Sequence, residues 1–502
     1  MSGINIIPLF VVIPLGAAFL ISLFGKFIRR FADIAAFVTS LGLLACSVRL
    51  MILLQNTPGK LLIYKIGGWA PPFGICLVID GLSMFILFII NLIGFFVTVY
   101  SIAYMEKYTD KAKFFTLFSL MICGMNGAVI TGDIFNLFVF LEIASIASYA
   151  LVAFGTGHEE LEASFKYAIM GSVASCFIFM AIAFLYGFTS TLNMADMARV
   201  LSYKQGNLFV PFVGVLFLMG FGLKSALMPF HAWLPDAHSS APAPISAMLS
   251  GVLIKALGVY SLLRIFFNIL GSTQVFLSAL MFLSVISIIV GGVLSLSQWN
   301  LKRLMAYSSI GQIGYILLGI GLGTPLGIFG AMFHLLNHSV MKSLLFLTAG
   351  SIDHAGGGRD LREMSGIAKH MPFTAKANMI ASMAVSGIPP FSGFFSKLII
   401  IVACIQKGHI GYGVCAVIGS ILTLSAFMKV QKFVFFGEVK DNLKNIKEAP
   451  WLMKFSMGGL ALLCIVGGLM LLPSMRFFIS DAVQVITKGT SYSSIILEAV
   501  SK

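Results

Sequence analysis

Apolar residues run along the chain in stretches of about twenty, parted by short clusters of charged residues or of proline and glycine. A run of that length spans roughly 30 Å of hydrocarbon at 1.5 Å per residue, so each reads as a membrane-crossing helix. Fourteen such spans are predicted, over 3–24, 31–54, 76–101, 113–131, 134–154, 165–187, 209–229, 243–265, 273–297, 303–322, 326–350, 373–405, 410–436 and 452–473. Two of them cannot be straight. The twelfth, too long for one crossing, contains Gly387-Ile-Pro-Pro390, which lacks two backbone donors and breaks a helix. The seventh ends in Lys224-Ser-Ala-Leu-Met-Pro229. The first run leads through Lys26, Arg29 and Arg30 straight into another span, which reads as a first transmembrane helix and not as a cleaved leader. The expected fold is an all-α polytopic membrane protein of about 14 transmembrane helices.

Composition agrees. Only 10% of the 502 residues are charged, 59% are hydrophobic, and the mean hydropathy is +0.99. Soluble domains carry about 25% charged residues, so most of this surface does not face water. The net charge of +14 does not point to nucleic acid, because Lys and Arg sit in short loops, where membrane topology selects for them. With Lys26, Arg29 and Arg30 taken as cytoplasmic, alternate loops gather nineteen basic residues inside and ten outside, the last including Arg264, Lys204 and Lys502. That asymmetry places both termini on the extracytoplasmic side of a cell membrane.

Four of the 33 basic residues, Lys224, Lys255, Lys342 and Lys397, fall inside spans. A charge at a helix centre costs roughly 2.5–3.5 kcal/mol on insertion scales, and such residues are functional by default. Lys255 lies about 18 Å into the eighth span and Glu142 about 12 Å into the fifth, at 1.5 Å per residue. Lys224 and Lys397 occupy the two proline-broken spans, and paired broken helices in corresponding halves mark the transport site of inverted-repeat membrane proteins. In the eleventh span His334, His338 and Lys342, spaced by four, share one helical face and can take and release protons. Four lysines facing one clear carboxylate cannot all be charged at once without other partners. A single buried lysine could be a helix cap or half of a structural ion pair, and the two histidines could be hydrogen-bonders between helices. The set together, each member raising the insertion cost, reads as a proton relay.

Other features change little. The seven cysteines are scattered without a CxxC pair and offer no disulfide framework, metal site or iron–sulfur ligand set. Gly157-His-Glu-Glu-Leu-Glu162 reads as a solvated acidic loop without zinc-motif spacing, and the 430–450 segment as a basic loop near the bilayer surface. No redox constellation, cofactor or metal is expected in this chain.

Six segments in order are similar to one family. They are Gly132-Asp-Ile-Phe-Asn-Leu-Phe-Val-Phe-Leu-Glu142, Gly222-Leu-Lys-Ser-Ala-Leu-Met-Pro-Phe-His-Ala-Trp-Leu-Pro-Asp-Ala-His238, Ser250-Gly-Val-Leu-Ile-Lys255, Lys302-Arg-Leu-Met-Ala-Tyr-Ser-Ser-Ile-Gly-Gln312, His334-Leu-Leu-Asn-His338 and Gly387-Ile-Pro-Pro-Phe-Ser-Gly-Phe-Phe-Ser-Lys397. The chain thereby resembles the antiporter-like membrane subunits of respiratory complex I, Mrp cation/proton antiporters and membrane-bound hydrogenases. The resemblance implies two inverted five-helix repeats, spans 4–8 and 9–13, each with one broken helix, in spans 7 and 12. It divides the chain into N-terminal helices (1–112), a first repeat (113–265), a second repeat (273–436) and a last helix with its tail (452–502). It carries the family's central relay onto Glu142, Lys224, Lys255 and Lys397. Some members carry Glu at the last position, and the lysine here looks most like the MrpD type.

The mechanism this implies is electrostatic. Glu142 holds Lys224 charged in one state and releases it in another, driving a proton along Lys255, the His334/His338/Lys342 face and Lys397. His231, Asp236 and His238 are candidates for proton entry, against a plain role in capping the helix–loop junction. Three functions are compared: a subunit of an Mrp-type sodium/proton antiporter, the pumping subunit of a redox complex whose chemistry lies in another chain, and a stand-alone solute transporter. The last lacks a polar cavity. The expected partners are other membrane subunits and the lipid bilayer, with protons or Na+ as cargo.

Overall fold

The computed structural model describes residues 3–28, 30–108, 110–203 and 208–501; Arg29, Lys204 and Lys502, counted above among the basic residues, lie outside them. The chain is 80% helix. The helices are α1 (Leu9–Phe24), α2 (Phe31–Asn56), α3 (Gly81–Tyr104), α4 (Lys111–Ile130), α5 (Ile134–Val152), α6 (His158–Thr189), α7 (Met194–Ser202), α8 (Phe209–Lys224) and α9 (Trp233–Ser240). There follow α10 (Ala243–Ile269), α11 (Gln274–Ser297), α12 (Leu301–Gly321), α13 (Pro325–His354), α14 (Pro372–Ser386), α15 (Ser392–Gln406), α16 (Ile410–Val430), α17 (Trp451–Val466), α18 (Phe477–Thr487) and α19 (Tyr492–Ser501).

Among the described residues eleven helices are long and apolar enough to cross a membrane. The remaining predicted spans fall on helices of other kinds. The seventh, 209–229, is α8 with the turn that follows it, the twelfth the pair α14 and α15, and the eleventh is the thirty-residue α13, whose apolar character is diluted by His334, His338 and Lys342. The proline breaks stand where the sequence placed them.

One expected boundary moves. The acidic segment 157–162 is not a loop but the first turns of α6, with Glu159 and Glu160 at the positive end of the helix dipole. A two-stranded antiparallel hairpin, β1 (Leu62–Lys65) with β2 (Cys76–Ile79), pairs Leu62 with Ile79 and Lys65 with Cys76 at one end of the bundle. We call this the hairpin end. It also receives the first turn of the chain, which packs on β1, and the short helices α18 and α19.

Helix α10 is almost wholly buried and is wound as a π-helix over Leu249–Tyr260 and Arg264–Ile269. Its close approach to the break after α8 needs Gly258: a Cβ there would lie 2.2 Å from Ser225 Oγ and 2.8 Å from the Ser225 backbone. The main core surrounds α3, α10 and α13, while α1, α2 and α16 present apolar faces outward, as lipid-facing helices do.

Candidate functional site

The break between α8 and α9 places Lys224 at the last residue of a helix, where the dipole's negative end favours an ammonium. Carbonyls freed by the break find donors: Trp233 Nε1 donates to Leu223 O at 3.1 Å and Leu227 N to Gly222 O at 2.9 Å. The side chain of Lys224, 5% exposed, is thus left to reach α5. There Nζ donates to Ser145 Oγ at 2.8 Å and lies 3.3 Å from Glu142 Oε1. The same carboxylate oxygen accepts from Ser175 Oγ of α6 at 2.5 Å. Glu142 keeps 27% side-chain exposure, so the carboxylate is the half-open member of the pair.

Lys255 uses the π-helical winding. Its Nζ donates to Ser250 O and Gly251 O, both at 2.6 Å, back along its own helix. Ser250 Oγ meets Ser309 Oγ of α12 at 2.8 Å, Ser309 Oγ donates to Met305 O at 3.0 Å, and Lys342 Nζ donates to that same carbonyl and to Ser308 Oγ at 2.9 Å. Lys255 and Lys342 are therefore joined through two serines, Ser250 and Ser309, and the carbonyls of Ser250 and Met305.

At the second break Lys397 itself caps the open end of α14, donating to Val385 O at 2.8 Å, with its ammonium 4.8 Å from the centre of the Tyr315 ring. Gly387, at φ +80°, ends α14, and its missing Cβ leaves room for the Lys397 stem, which would otherwise be 3.2 Å away. His334 is held through Nδ1 to Ser396 Oγ at 2.9 Å and through Nε2 to Gln312 Oε1 at 3.2 Å. His338, one turn along α13 with ring centroid 6.2 Å from that of His334, is fully buried, and neither of its ring nitrogens has a hydrogen-bond partner among the described residues.

The structure thus gathers Glu142, Lys224, Lys255, Lys342, His338, His334 and Lys397 into the bundle interior: Glu142 meets Lys224, serines and carbonyls bridge Lys255 and Lys342, and His338 stands between that bridge and His334 and Lys397, which bond to different partners at the second break. No direct bond links Lys224 to Lys255. The entry candidates separate. His231 is half-buried, with Nδ1 3.2 Å from Pro229 O. Asp236 pairs with Lys166 and Arg303, each at 3.1 Å. His238 is fully buried against Phe346, and its ring nitrogens have no hydrogen-bond partner among the described residues.

Sequence reasoning missed two groups of residues. Ser145, Ser175, Ser250, Ser308, Ser309, Gln312 and Ser396 carry the polar contacts, yet hydropathy scores them as neutral. Two basic residues counted among the loops are buried. Lys302 donates to Ala241 O at 3.0 Å. Arg264 pairs with Asp80 at 2.5 Å and bonds Ser83, Tyr260 and Asn268, while Tyr492 of α19 donates to Asp80. The seven cysteines are free, and among the described residues no cluster of His, Cys, Asp and Glu is arranged to hold a metal.

Two broken helices and a line of buried lysines between them define a membrane subunit of the ion-translocating kind. The profile described as NADH:quinone oxidoreductase/Mrp antiporter, TM, matches residues 131–423, and that described as NADH-Ubiquinone oxidoreductase (complex I), chain 5 N-terminus, matches 66–115. The chain belongs to this NADH:quinone oxidoreductase/Mrp antiporter family. It is 37% identical to NADH-quinone oxidoreductase subunit N of Desulforudis audaxviator over 85% of this chain and 84% of that one. It is 31% identical to the D-type subunit of the Na(+)/H(+) antiporter of Alkalihalophilus pseudofirmus over 98% of this chain and 100% of that one. Among solved structures it is similar to a chain of the Mrp complex from Dietzia sp. DQ12-45-1b, with TM-score 0.90, 26% identity and full coverage of both. It is also similar to a chain of an archaeal membrane-bound sulfane sulfur reductase, with TM-score 0.88 and 30% identity over 97% of this chain and 99% of that one.

Proposed function

We propose that this chain is the proton-translocating, antiporter-like subunit of a multi-subunit membrane complex of the Mrp sodium/proton antiporter type, in the position of its D-type subunit. The observation that carries it is the Lys224–Glu142 pair at a broken helix, in line with buried Lys255, Lys342, His338, His334 and Lys397. The likeness to a D-type antiporter subunit over its whole length supports the assignment. In this reading the chain crosses the membrane fourteen times, with both termini extracytoplasmic, and spans 4–8 and 9–13 form inverted repeats within 113–265 and 273–436.

The reaction is transfer of a proton along fixed groups. While Glu142 is ionised and close, it holds the Lys224 ammonium. When the pair opens, the proton leaves Lys224 for the Lys255–Lys342 group, and His338, with both ring nitrogens free, passes it to His334 and Lys397. Low dielectric around the path makes each neighbouring charge count far more than in water. His231, in the partly exposed turn after the first break, and Asp236, in the first turn of α9, serve as the entry side, with His238 behind them.

A second reading has the same relay driven by a redox complex, and the 37% identity to NADH-quinone oxidoreductase subunit N favours it. Purifying the complex from its native host and identifying the co-purifying chains separates the two: iron–sulfur or hydrogenase subunits support the redox engine, small Mrp-type membrane subunits the antiporter. In either complex Lys224→Ala and Glu142→Ala are expected to abolish coupled transport. Normal transport by both variants in an assembled complex would refute the relay.

A further inference from the structure

Helices α14 and α16 meet through a polar floor. Thr374, Asn378, Ser382 and Ser386 recur at every fourth position along the buried face of α14. Gln431, in the π-turn that continues α16, donates through Nε2 to Asn378 Oδ1 at 2.9 Å and to Ser382 Oγ at 3.0 Å, and Ser382 Oγ donates to Asn378 Oδ1 at 3.1 Å. Outside this floor lies a groove of about 460 Å³ with apolar walls, Met379 and Met383 on one side and Leu424 and Met428 on the other, and Lys432 at its outer end.

The groove opens sideways, onto the apolar surface that faces lipid: Met428 is 60% exposed and Met379 39%. Along α16 and its π-turn it runs from Leu424 to Phe436, about 18 Å at 1.5 Å per residue. That is close to the depth of one leaflet, half of a hydrocarbon core of roughly 30 Å. The volume spread over that length gives a width of about 6 Å. A helix with its side chains is about 10–12 Å across and does not enter. Water finds few partners, because the polar groups of Ser382 and Gln431 are spent on each other and on Asn378. A single extended hydrocarbon chain fits.

The mouth of the groove is positive. Gln431 bonds Asn378 and Ser382, so Lys432, next along the chain, stands at the level of Met379. Lys376 lies three residues before Met379 and seven before Met383, on their side of α14. The two lysines thus flank the outer end from the two helices. Both are exposed, and neither has a carboxylate partner among the described residues; Lys432 Nζ lies 5.5 Å from the centre of the Phe433 ring. Glu448, at the start of α14, is taken up by the backbone N–H groups of Phe373 and Thr374 and by Thr374 Oγ1.

We propose that this groove is a specific site for an anionic phospholipid, with one acyl chain between α14 and α16 and the headgroup phosphate between Lys376 and Lys432. The chain reaches Ile388 in the second break, so the lipid braces the junction of the two helices from outside. Selectivity comes from the mouth. Each lysine beside an anionic headgroup at a membrane surface favours it about fivefold. A zwitterionic headgroup gains little, since its own ammonium meets the same two cations.

The test is a photo-activated benzophenone side chain placed at Met428 in the whole complex, reconstituted in vesicles of phosphatidylethanolamine with a minority of phosphatidylglycerol. After illumination the adducts are identified by mass spectrometry. Phosphatidylglycerol is expected among them at about fivefold its share of the bilayer or more. The double variant Lys376→Gln with Lys432→Gln is expected to bring it back to that share, and so is Met383→Trp, which fills the groove with both lysines in place. Adducts at the bilayer share in the parent overturn the site, as does enrichment that survives either variant. A neighbouring subunit's helix cross-linked in place of lipid overturns it too. Met428 and both lysines are exposed, and the enrichment is a ratio within one sample, so the readout does not depend on yield.

Discussion

Replacing Glu142 by Gln removes one charge and little else. The amide has the shape of the carboxylate, its oxygen still accepts from Ser175 Oγ, and Lys224 keeps its bond to Ser145 Oγ. What is lost is the Coulomb attraction across 3.3 Å, which at an effective dielectric of about 20 amounts to about 5 kcal/mol. Driving a two-state element from 1:99 to 99:1 takes about 5.5 kcal/mol, so the charge of Glu142 is by itself nearly enough to throw the Lys224 switch. The assay is proton flux in proteoliposomes holding the intact complex, read with a pH-sensitive dye at a fixed driving gradient. Glu142→Gln is expected to lower flux at least tenfold at normal assembly. Glu142→Asp, which keeps the charge one methylene further away, recovers part of it. Wild-type flux in Glu142→Gln would refute an electrostatic switch at this pair, however well the rest of the relay held.

The other expectations concern packing and the hairpin end. Arg264→Met leaves Asp80 buried without its ion partner and is expected to cost about 3–5 kcal/mol, seen as a lower unfolding temperature in detergent, while the double variant with Asp80→Asn loses less. Gly258→Val drives a side chain into the Ser225 backbone and is expected to cost about 1–3 kcal/mol. Gly187→Ala, on α6 with no atom within 4 Å of the new Cβ, is expected to be neutral or to stabilise by about 0.5–1 kcal/mol in the same melt. Asp481→Asn weakens the ties to Lys60 and Gln55 and is expected to speed amide exchange over α18 with little change in α3.

Long apolar runs are a strong signal, and the helices they predicted are present, including both proline breaks. The burial of Lys224, Lys255, Lys342 and Lys397 was legible for the same reason: each stands deep inside an apolar run. Arg264 and Lys302 were not, because each stands near the end of its run, where a basic residue belongs to a loop. Only the tertiary fold shows otherwise, by laying α19 over Arg264 and the α9–α10 turn over Lys302. The hydroxyls around the lysines escaped because serine is neither apolar nor charged, and its meaning depends on the helix it faces. Spacing was the missed signal on α14, where four polar residues recur every fourth position. The π-winding of α10 had no sequence mark beyond Gly258, since it depends on contact with another helix.

The clasp at the hairpin end also orders events during synthesis. Asp80 and Arg264 belong to the first half of the chain, but Tyr492, which bonds Asp80, and Asp481, which bonds Lys60 and Gln55, emerge from the ribosome after all the helices they secure. Until then a carboxylate and a guanidinium sit under an open lid, and Asn268 lacks the Val485 and Gly489 carbonyls it will hold. A chain lacking α18 and α19 would therefore keep its buried lysines in place yet leave the Asp80–Arg264 pair uncovered at one end. The last two short helices thus close the hairpin end over groups laid down hundreds of residues earlier.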